Sequence, residues 1–273
     1  MQEVSKMKKC AVINDLSGFG KCSLTAALPI LSVMGVEAHP MPTAVLSNQT
    51  AYESYKSVDL TSCLKPFAEE WKKLGVHFDA VLTGFVLNEE QLDFIDGFID
   101  SFKQNDTLIV IDPVMADNGK LYDGYSTAMC GRIKELCRKA DIITPNICEL
   151  AFLAEEKPSE SLDDIIRYGK KLLSVGIKSV VATGYKEGGS ISNILFENGD
   201  AEIISAKRSG GYFSGTGDIL SAVITGGVLR GMSLRDAVSL ATRFIAKSAE
   251  NTVASDGNDG VEFERFLGDI IIG

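Results

Sequence analysis

The segment of this chain best equipped for chemistry is Gly215-Thr216-Gly217-Asp218. Two glycines allow the backbone to approach a phosphate, N–H groups opening a helix offset developing negative charge, and a carboxylate can take the proton of an attacking alcohol. Phosphoryl transfer needs these parts, with Asp218 as base and Gly215, Thr216 and Gly217 as the anion-binding backbone. A free carboxylate, with pKa near ~3.9, is a weak base. Asp218 would therefore orient the hydroxyl and accept its proton late, leaving positioning and electrostatics as the main catalytic effects. The same four residues also suit a plain helix start, where the dipole favours an acid in the first turn.

Two further constellations follow. Asp112-Pro113-Val114-Met115-Ala116-Asp117 places carboxylates at a strand end, where they could hold Mg²⁺ directly or through water, although an Asp-Pro turn also simply ends a strand. Thr144-Pro145-Asn146 with Glu149 is a second turn plus acid, and equally a capping box with Asn146 at the N-cap. Other nucleotide signatures fail. Gly18-Phe19-Gly20 has Ser23 where a dinucleotide fingerprint needs glycine, and Gly20-Lys21 is followed by Cys22 rather than the Ser or Thr of a Walker loop. Only His39 and His77 are present, neither in a catalytic string, which disfavours triad and metal-hydrolase chemistry.

These residues need strand ends and helix starts to hold them, and the chain supplies both. Short β-branched runs at Cys10–Asn14, Val36–Met41, Ala80–Gly84, Leu108–Asp112, Ile142–Thr144 and Ser179–Thr183 alternate with helical periods. The helices are expected over Ser23–Met34, Leu60–Leu74, Asn88–Lys103, Ser126–Ala140 and Leu162–Val175, several stopped by Gly35, Gly75 or Gly176. Such alternation predicts a mainly parallel sheet flanked by helices, with ligands at the carboxyl ends of its strands. Beyond Thr183 the period becomes β-like. Ser190–Phe196 and Ala201–Lys207, joined by Asn198-Gly199, predict a small antiparallel β addition. A glycine-rich stretch, Ser209–Gly217, then leads into two helices, Asp218–Leu229 and Leu234–Glu250.

The 273 residues, 45% apolar and 23% charged, suit a single α/β domain over 1–273. A formal charge of −10 excludes nucleic acid as a partner, because such binders cluster Lys and Arg against the phosphate backbone. Six widely spaced cysteines form no C-x-x-C pair, so neither zinc nor a disulfide framework is expected. No apolar run is long enough for a membrane span, and Met1 to Lys9 is too polar for a signal peptide, so a cytoplasmic protein is expected.

Taken in order, Asp112-Pro-Val-Met, Thr144-Pro-Asn with Glu149, and Gly215-Thr-Gly-Asp218 resemble the ribokinase superfamily. Ser47-Asn48-Gln49-Thr50 and Leu82-Thr83-Gly84 are similar to its pyridoxal/pyridoxamine kinase branch, and the resemblance covers nearly the whole chain. It implies a ribokinase-like fold, commonly homodimeric, that phosphorylates the 5′-hydroxymethyl group of pyridoxal, pyridoxine or pyridoxamine with ATP and Mg²⁺, K⁺ being a further candidate ion. By resemblance Asp218 is the base and Gly215–Gly217 the anion hole. Asp112 and Glu149 organise the metal and its waters, and Thr144, Thr183 and Ser214 border the nucleotide, with Ser209–Ser214 flanking or covering the site. Asp15 and Thr50 would meet the polar edge of the pyridine ring and Phe85 its face.

Two departures bear on the ring: many pyridoxal kinases carry Ser at the Asp15 position and Tyr at the Phe85 position. Asn14-Asp15-Leu16-Ser17-Gly18 is also similar to hydroxymethylpyrimidine kinases, the alternative on the same fold, which usually carry Cys where Asp218 stands. A non-catalytic pyridoxal phosphate or nucleotide carrier and a sugar kinase are weaker alternatives. The first is disfavoured by the intact Gly215–Asp218, the second by the missing Gly-Gly and Asn-rich sugar-binding strings.

Overall fold

Along β1 (Lys8–Ser17), Ala11 and Ile13 enter one apolar cluster and Cys10 and Val12 another, all four fully buried. A strand apolar on both faces must be covered on both. The computed structural model describes residues 6–272 except 118, 123, 210 and 254–256, and shows how the cover is built. After β1 come α1 (Ser23–Val33), β2 (Val36–Leu46), β3 (Ser57–Asp59), α2 (Thr61–Lys73), β4 (Ala80–Thr83), α3 (Glu89–Phe102) and β5 (Leu108–Ile111). Next are a hairpin of β6 (Ala116–Asp117) and β7 (Lys120–Leu121), then α4 (Thr127–Cys137), β8 (Ile142–Ile143), α5 (Ile147–Leu153) and α6 (Leu162–Ser174). The chain closes with β9 (Ser179–Glu187), β10 (Ser190–Glu197), β11 (Asp200–Lys207), α7 (Thr216–Leu229), α8 (Leu234–Glu250) and a 3-10 segment, Phe263–Ile270.

Nine strands form one sheet in the order β11-β10-β9-β8-β5-β4-β1-β2-β3. Its central strands, β9 to β2, run parallel; β10, β11 and β3 are antiparallel additions. Helices α2 to α6 cover one face through side chains such as Leu64, Ile95, Ile133 and Ile165. Helices α1, α7 and α8 and the final 3-10 segment cover the other through Ile30, Val223, Phe244 and Phe263. This is the helix-flanked, mainly parallel sheet with a small antiparallel addition expected from the pattern. Among the described residues no helix is long and apolar enough to cross a membrane.

Local chemistry sets the boundaries. The side chains of Asn88, Ser126 and Ser233 accept from backbone N–H groups at the starts of α3, α4 and α8. Asn198 and Gly199, at φ 54 and 88, make the tight β10–β11 turn. Three differences from the sequence reading stand out. β2 runs on to Leu46, because β3 pairs with its last residues. β9 continues past Thr183 to Glu187, because β10 pairs along it, with a register shift where Gly184 takes φ 81 and donates to Asn193 Oδ1. The β6–β7 hairpin, β3 and α5 are too short to show a period.

Helix α7 is buried almost all round, from Ile219 through Gly227. It lies between the sheet and α1 and α8, and its N-terminus emerges at the carboxyl edge of the strands. Close packing recurs at α6, where Gly169 faces the fully buried Phe196 ring and a Cβ would lie 2.4 Å from Phe196 Cζ. Gly169→Ala gains ~1 kcal/mol of helix propensity but overpacks a ring by 1–3 kcal/mol or more. The expected net loss is about 1–2 kcal/mol in urea unfolding, and a variant as stable as the parent would show that the ring moves freely aside.

Candidate active site

The chain passes from β1 outward to β2 and then back across to β4, so a crevice opens where the carboxyl ends of β1 and β4 part. Asn14 fills its base. Its Oδ1 accepts from the backbone N–H groups of Asp15, at 2.9 Å, and Phe85, at 2.8 Å, while its Nδ2 donates to Asp218 Oδ1 at 3.0 Å. Gly84 makes room, since a Cβ there would stand 2.3 Å from Asn14 Nδ2.

Asp218 lies in the first turn of α7, half-buried. The residue before the helix, Gly215, has φ 77, and a Cβ on it would fall 2.0 Å from the Lys21 carbonyl oxygen. Only glycine allows that approach. Gly215 and Thr216 are partly exposed and Gly217 is exposed, so the helix start faces solvent. Burial pushes the Asp218 carboxyl up to about 6, the Ser23 backbone N–H and Asn14 opposing the rise and the Asp15 charge adding to it. A carboxylate moved toward neutrality is a better proton acceptor than a solvated one.

Asp112 follows β5 beside Gly217, buried, and Glu149 lies in α5. Burial first, then the charges of Glu149 and Asp218, holds the Asp112 carboxyl well above the usual carboxylate range. Glu149 is pushed up to about 7 by burial, against the pull of backbone N–H groups. Its Oε1 accepts from Met115 at 3.0 Å and Ala116 at 3.4 Å, and its Oε2 from Asn146 at 2.9 Å. Asn146 returns the bond to complete a capping box, so Glu149 starts α5 and clasps the 113–116 turn together. Thr144 is buried with its hydroxyl 2.9 Å from that of Ser221, which stands 3.1 Å from Asp112 Oδ2 and 3.0 Å from the Gly217 carbonyl. Thr183 is half-buried inside β9 and donates its N–H to Pro145, which joins it to the turn after β8.

Of the residues expected around an alcohol substrate, Phe85 is half-buried, its ring 6.3 Å from Tyr125, which in turn lies 6.2 Å from Tyr122. Asp15 is buried and accepts from Ser17 and Ser23. Thr50 is exposed on the loop after β2, whereas its neighbour Gln49 is buried and donates to Ser214 Oγ at 3.2 Å and to the Asn258 carbonyl at 3.0 Å. In the stretch 209–214, Gly210 lies outside the described residues, and Tyr212 donates to Asp117 Oδ2 at 3.3 Å, linking that stretch to the β6–β7 hairpin. Asn14, Ser23 and Gln49 occur in the strings read from the sequence without a role in the site, and Ser221, Tyr122 and Tyr125 carry no sequence signal. Among the described residues no group of three or more His, Cys, Asp or Glu is arranged as a metal cage.

A mainly parallel sheet with an exposed helix start, an acid in its first turn and a chain of acids along the strand ends is that of a ribokinase-like small-molecule kinase. Residues 23–261 match the family model for phosphomethylpyrimidine kinase, and the chain belongs to that family. It is a phosphotransferase with an alcohol group as acceptor. A Bacteroides thetaiotaomicron protein provisionally described as a phosphomethylpyrimidine kinase, solved with pyridoxal, is 36% identical with a TM-score of 0.92, covering 97% of this chain and 96% of that one. Pyridoxal kinase from Lactobacillus plantarum is 28% identical with a TM-score of 0.90, covering 97% of each chain. The hydroxymethylpyrimidine/phosphomethylpyrimidine kinase of Bacillus subtilis is 28% identical over 90% of this chain and 84% of its own.

The raised Asp218 carboxyl has a consequence for stability. Its folded value of about 6 exceeds the ordinary 3.8, so its contribution is fully present below the unfolded value and is lost as pH rises through 6. Replacing it with a neutral isostere removes that loss. Asp218→Asn is therefore expected to be more stable than the parent at pH 7.5, by about 1–2 kcal/mol once partial solvent access is allowed for. The gain should fade between pH 6 and 4 in unfolding experiments at stepped pH, and a gain independent of pH would assign it to packing instead.

Proposed function

We propose that this chain transfers the γ-phosphoryl group of ATP to the 5′-hydroxymethyl group of pyridoxal, pyridoxine or pyridoxamine. The observation that carries this reading is the placement of Asp218. It stands one residue beyond the Gly215–Gly217 backbone, held by Asn14 with the Ser23 N–H beside it, at the crevice between β1 and β4. In this reading the N–H groups of Gly215, Thr216 and Gly217 receive the phosphoryl oxygens, and Asp218 orients the substrate hydroxyl and accepts its proton. Thr144, Thr183 and Ser214 border the nucleotide. Phe85 packs against the pyridine ring, with Tyr125 supporting it from behind. The polar edge of the ring falls to the Asp15 and Thr50 segments.

Asp112 and Glu149 fit a divalent cation in the sense that acids raised by burial, and further by neighbouring carboxylates, are relieved by one. Mg²⁺, when bound, would neutralise charge on the phosphates. Both Glu149 oxygens already serve backbone N–H groups, so its contact with the ion would run through water, and K⁺ would be a further candidate at the same anionic edge. The six free thiols support a reducing compartment, the cytoplasm. Val45 and Val58, paired across β2 and β3 and exposed at the sheet edge, with exposed Phe67 on α2, support a homodimer. In sedimentation at micromolar concentration Val58→Glu should shift a dimer toward monomer; a monomeric parent would remove the homodimer.

The second reading, a hydroxymethylpyrimidine kinase, is favoured by Asp15-Leu16-Ser17-Gly18 and by the Bacillus relative. An ATP-consumption assay with Mg²⁺, run side by side on the three pyridine vitamers and hydroxymethylpyrimidine, decides between them. We expect turnover on a pyridine vitamer, with a product heavier by one phosphoryl group, and a fall in kcat of about 10²–10⁴-fold for Asp218→Asn with ATP binding retained. Turnover on the pyrimidine alone would overturn the substrate, and an undiminished Asp218→Asn would remove Asp218 from the base role.

A further inference from the structure

Asp15 is 3% exposed, and its charge is met by hydroxyl groups: Ser17 Oγ donates to Oδ2 at 2.8 Å and Ser23 Oγ donates to Oδ1. Burial holds the Asp15 carboxyl above the usual carboxylate range against the pull of both hydroxyls. Burying an acid is costly, so one retained here needs a compensating use. Ser23 supplies the second half of the observation. It is the first residue of α1 and has φ 51, a left-handed conformation that a residue with a Cβ avoids. In that conformation its backbone N–H lies beside the Asp218 carboxylate and opposes the rise of its pKa. Asn14, the neighbour of Asp15, holds the same carboxylate through Nδ2.

We infer that Asp15 is a positioning residue: its carboxylate tethers the Ser23 hydroxyl, and the tether keeps Ser23 in the left-handed backbone that aims its N–H at Asp218. Consecutive residues of β1 thus fix the acid from two directions, Asn14 directly and Asp15 through Ser23. The catalytic part of this inference rests on Asp218 being the base; the geometric part does not. It also reassigns Asp15, which the family resemblance places against the substrate ring. A ring contact affects substrate affinity, whereas a misdirected base affects turnover.

The test is a cycle of variants read in two ways. Asp15→Ala is expected to lower kcat about tenfold with the KM for the alcohol changed less than about twofold, and Asp15→Asn, which keeps an acceptor for Ser23, to recover much of it. Ser23→Ala should lose more turnover than Ser23→Gly, because glycine takes positive φ without a tether. In the Ser23→Gly background, Asp15→Ala should cost less than about threefold, since the tether no longer has work to do. An Asp15→Ala variant with raised KM and unchanged kcat, or one whose cost is the same in both backgrounds, overturns the inference. The second reading needs no turnover. The Ser23 amide resonance should move upfield and lose exchange protection in Asp15→Ala while distant amides hold their places, and an unmoved Ser23 amide sinks the tether even if no vitamer is phosphorylated. Should Asp15→Ala fail to fold, the Ser23→Ala and Ser23→Gly pair decides: equal turnover and an equally protected residue 23 amide would overturn the inference.

Discussion

The contact between Gly215 and the Lys21 carbonyl sets where everything else in the site can be. A Cβ at Gly215 would lie 2.0 Å from that oxygen, so the two backbone segments meet with no side chain between them. One segment leads into α1, the other into α7, and the two helices pack side by side on the same face of the sheet. Their N-termini are therefore locked together at the strand ends. This lock brings a backbone N–H from α1, that of Ser23, beside a carboxylate on α7. Without it the glycine N–H groups and Asp218 would be features of a mobile loop, and positioning on the scale catalysis needs would be lost.

The lock also allows the chain to concentrate like charge where it is least comfortable. Asp15, Asp112, Glu149 and Asp218 are gathered along one edge, and burial raises all four carboxyls. Each is held by donors chosen from short side chains or backbone: hydroxyls for Asp15, Ser221 for Asp112, three N–H groups for Glu149, and Asn14 for Asp218. Such an arrangement costs stability that the buried α7 and the two core faces must offset. What it provides is an anionic edge suited to a cation beside the helix start that suits an anion, the pairing that a nucleotide phosphate with its metal presents.

How far this was legible in the sequence follows from how local each signal is. Gly215 through Asp218 is a local signal, and so is the Asn146–Glu149 capping box; both stand where the residue types imply. The parallel strands were legible because their apolar runs are continuous, and the hairpin because Asn198-Gly199 demands positive φ. The partners that give these residues their properties come from far away in the chain. Asn14 lies 204 residues from Asp218, Ser221 109 from Asp112, and Ser214 165 from Gln49. A lone Asn, Ser or Gln at a strand end or in a helix carries no mark of such a contact. Ser23 is the plainest instance, since a serine opening a helix reads as an ordinary cap and its positive φ is invisible until the fold is seen.

The same separation explains why one site can be similar to kinases named for two different substrates. The groups proposed for the phosphoryl transfer, the α7 start and Asp218, are fixed by backbone contact and by hydrogen bonds, and they are indifferent to which ring carries the hydroxymethyl group. The groups that would meet the ring come from elsewhere: Phe85 after β4, with Tyr122 and Tyr125 from the segment following the β6–β7 hairpin, and the loop after β2. Phe85 is joined to the fixed part through the hydrogen bond from its N–H to Asn14. Substitutions in that wall can change ring preference without disturbing Asp218, so specificity is free to diverge while the phosphoryl-transfer geometry is kept.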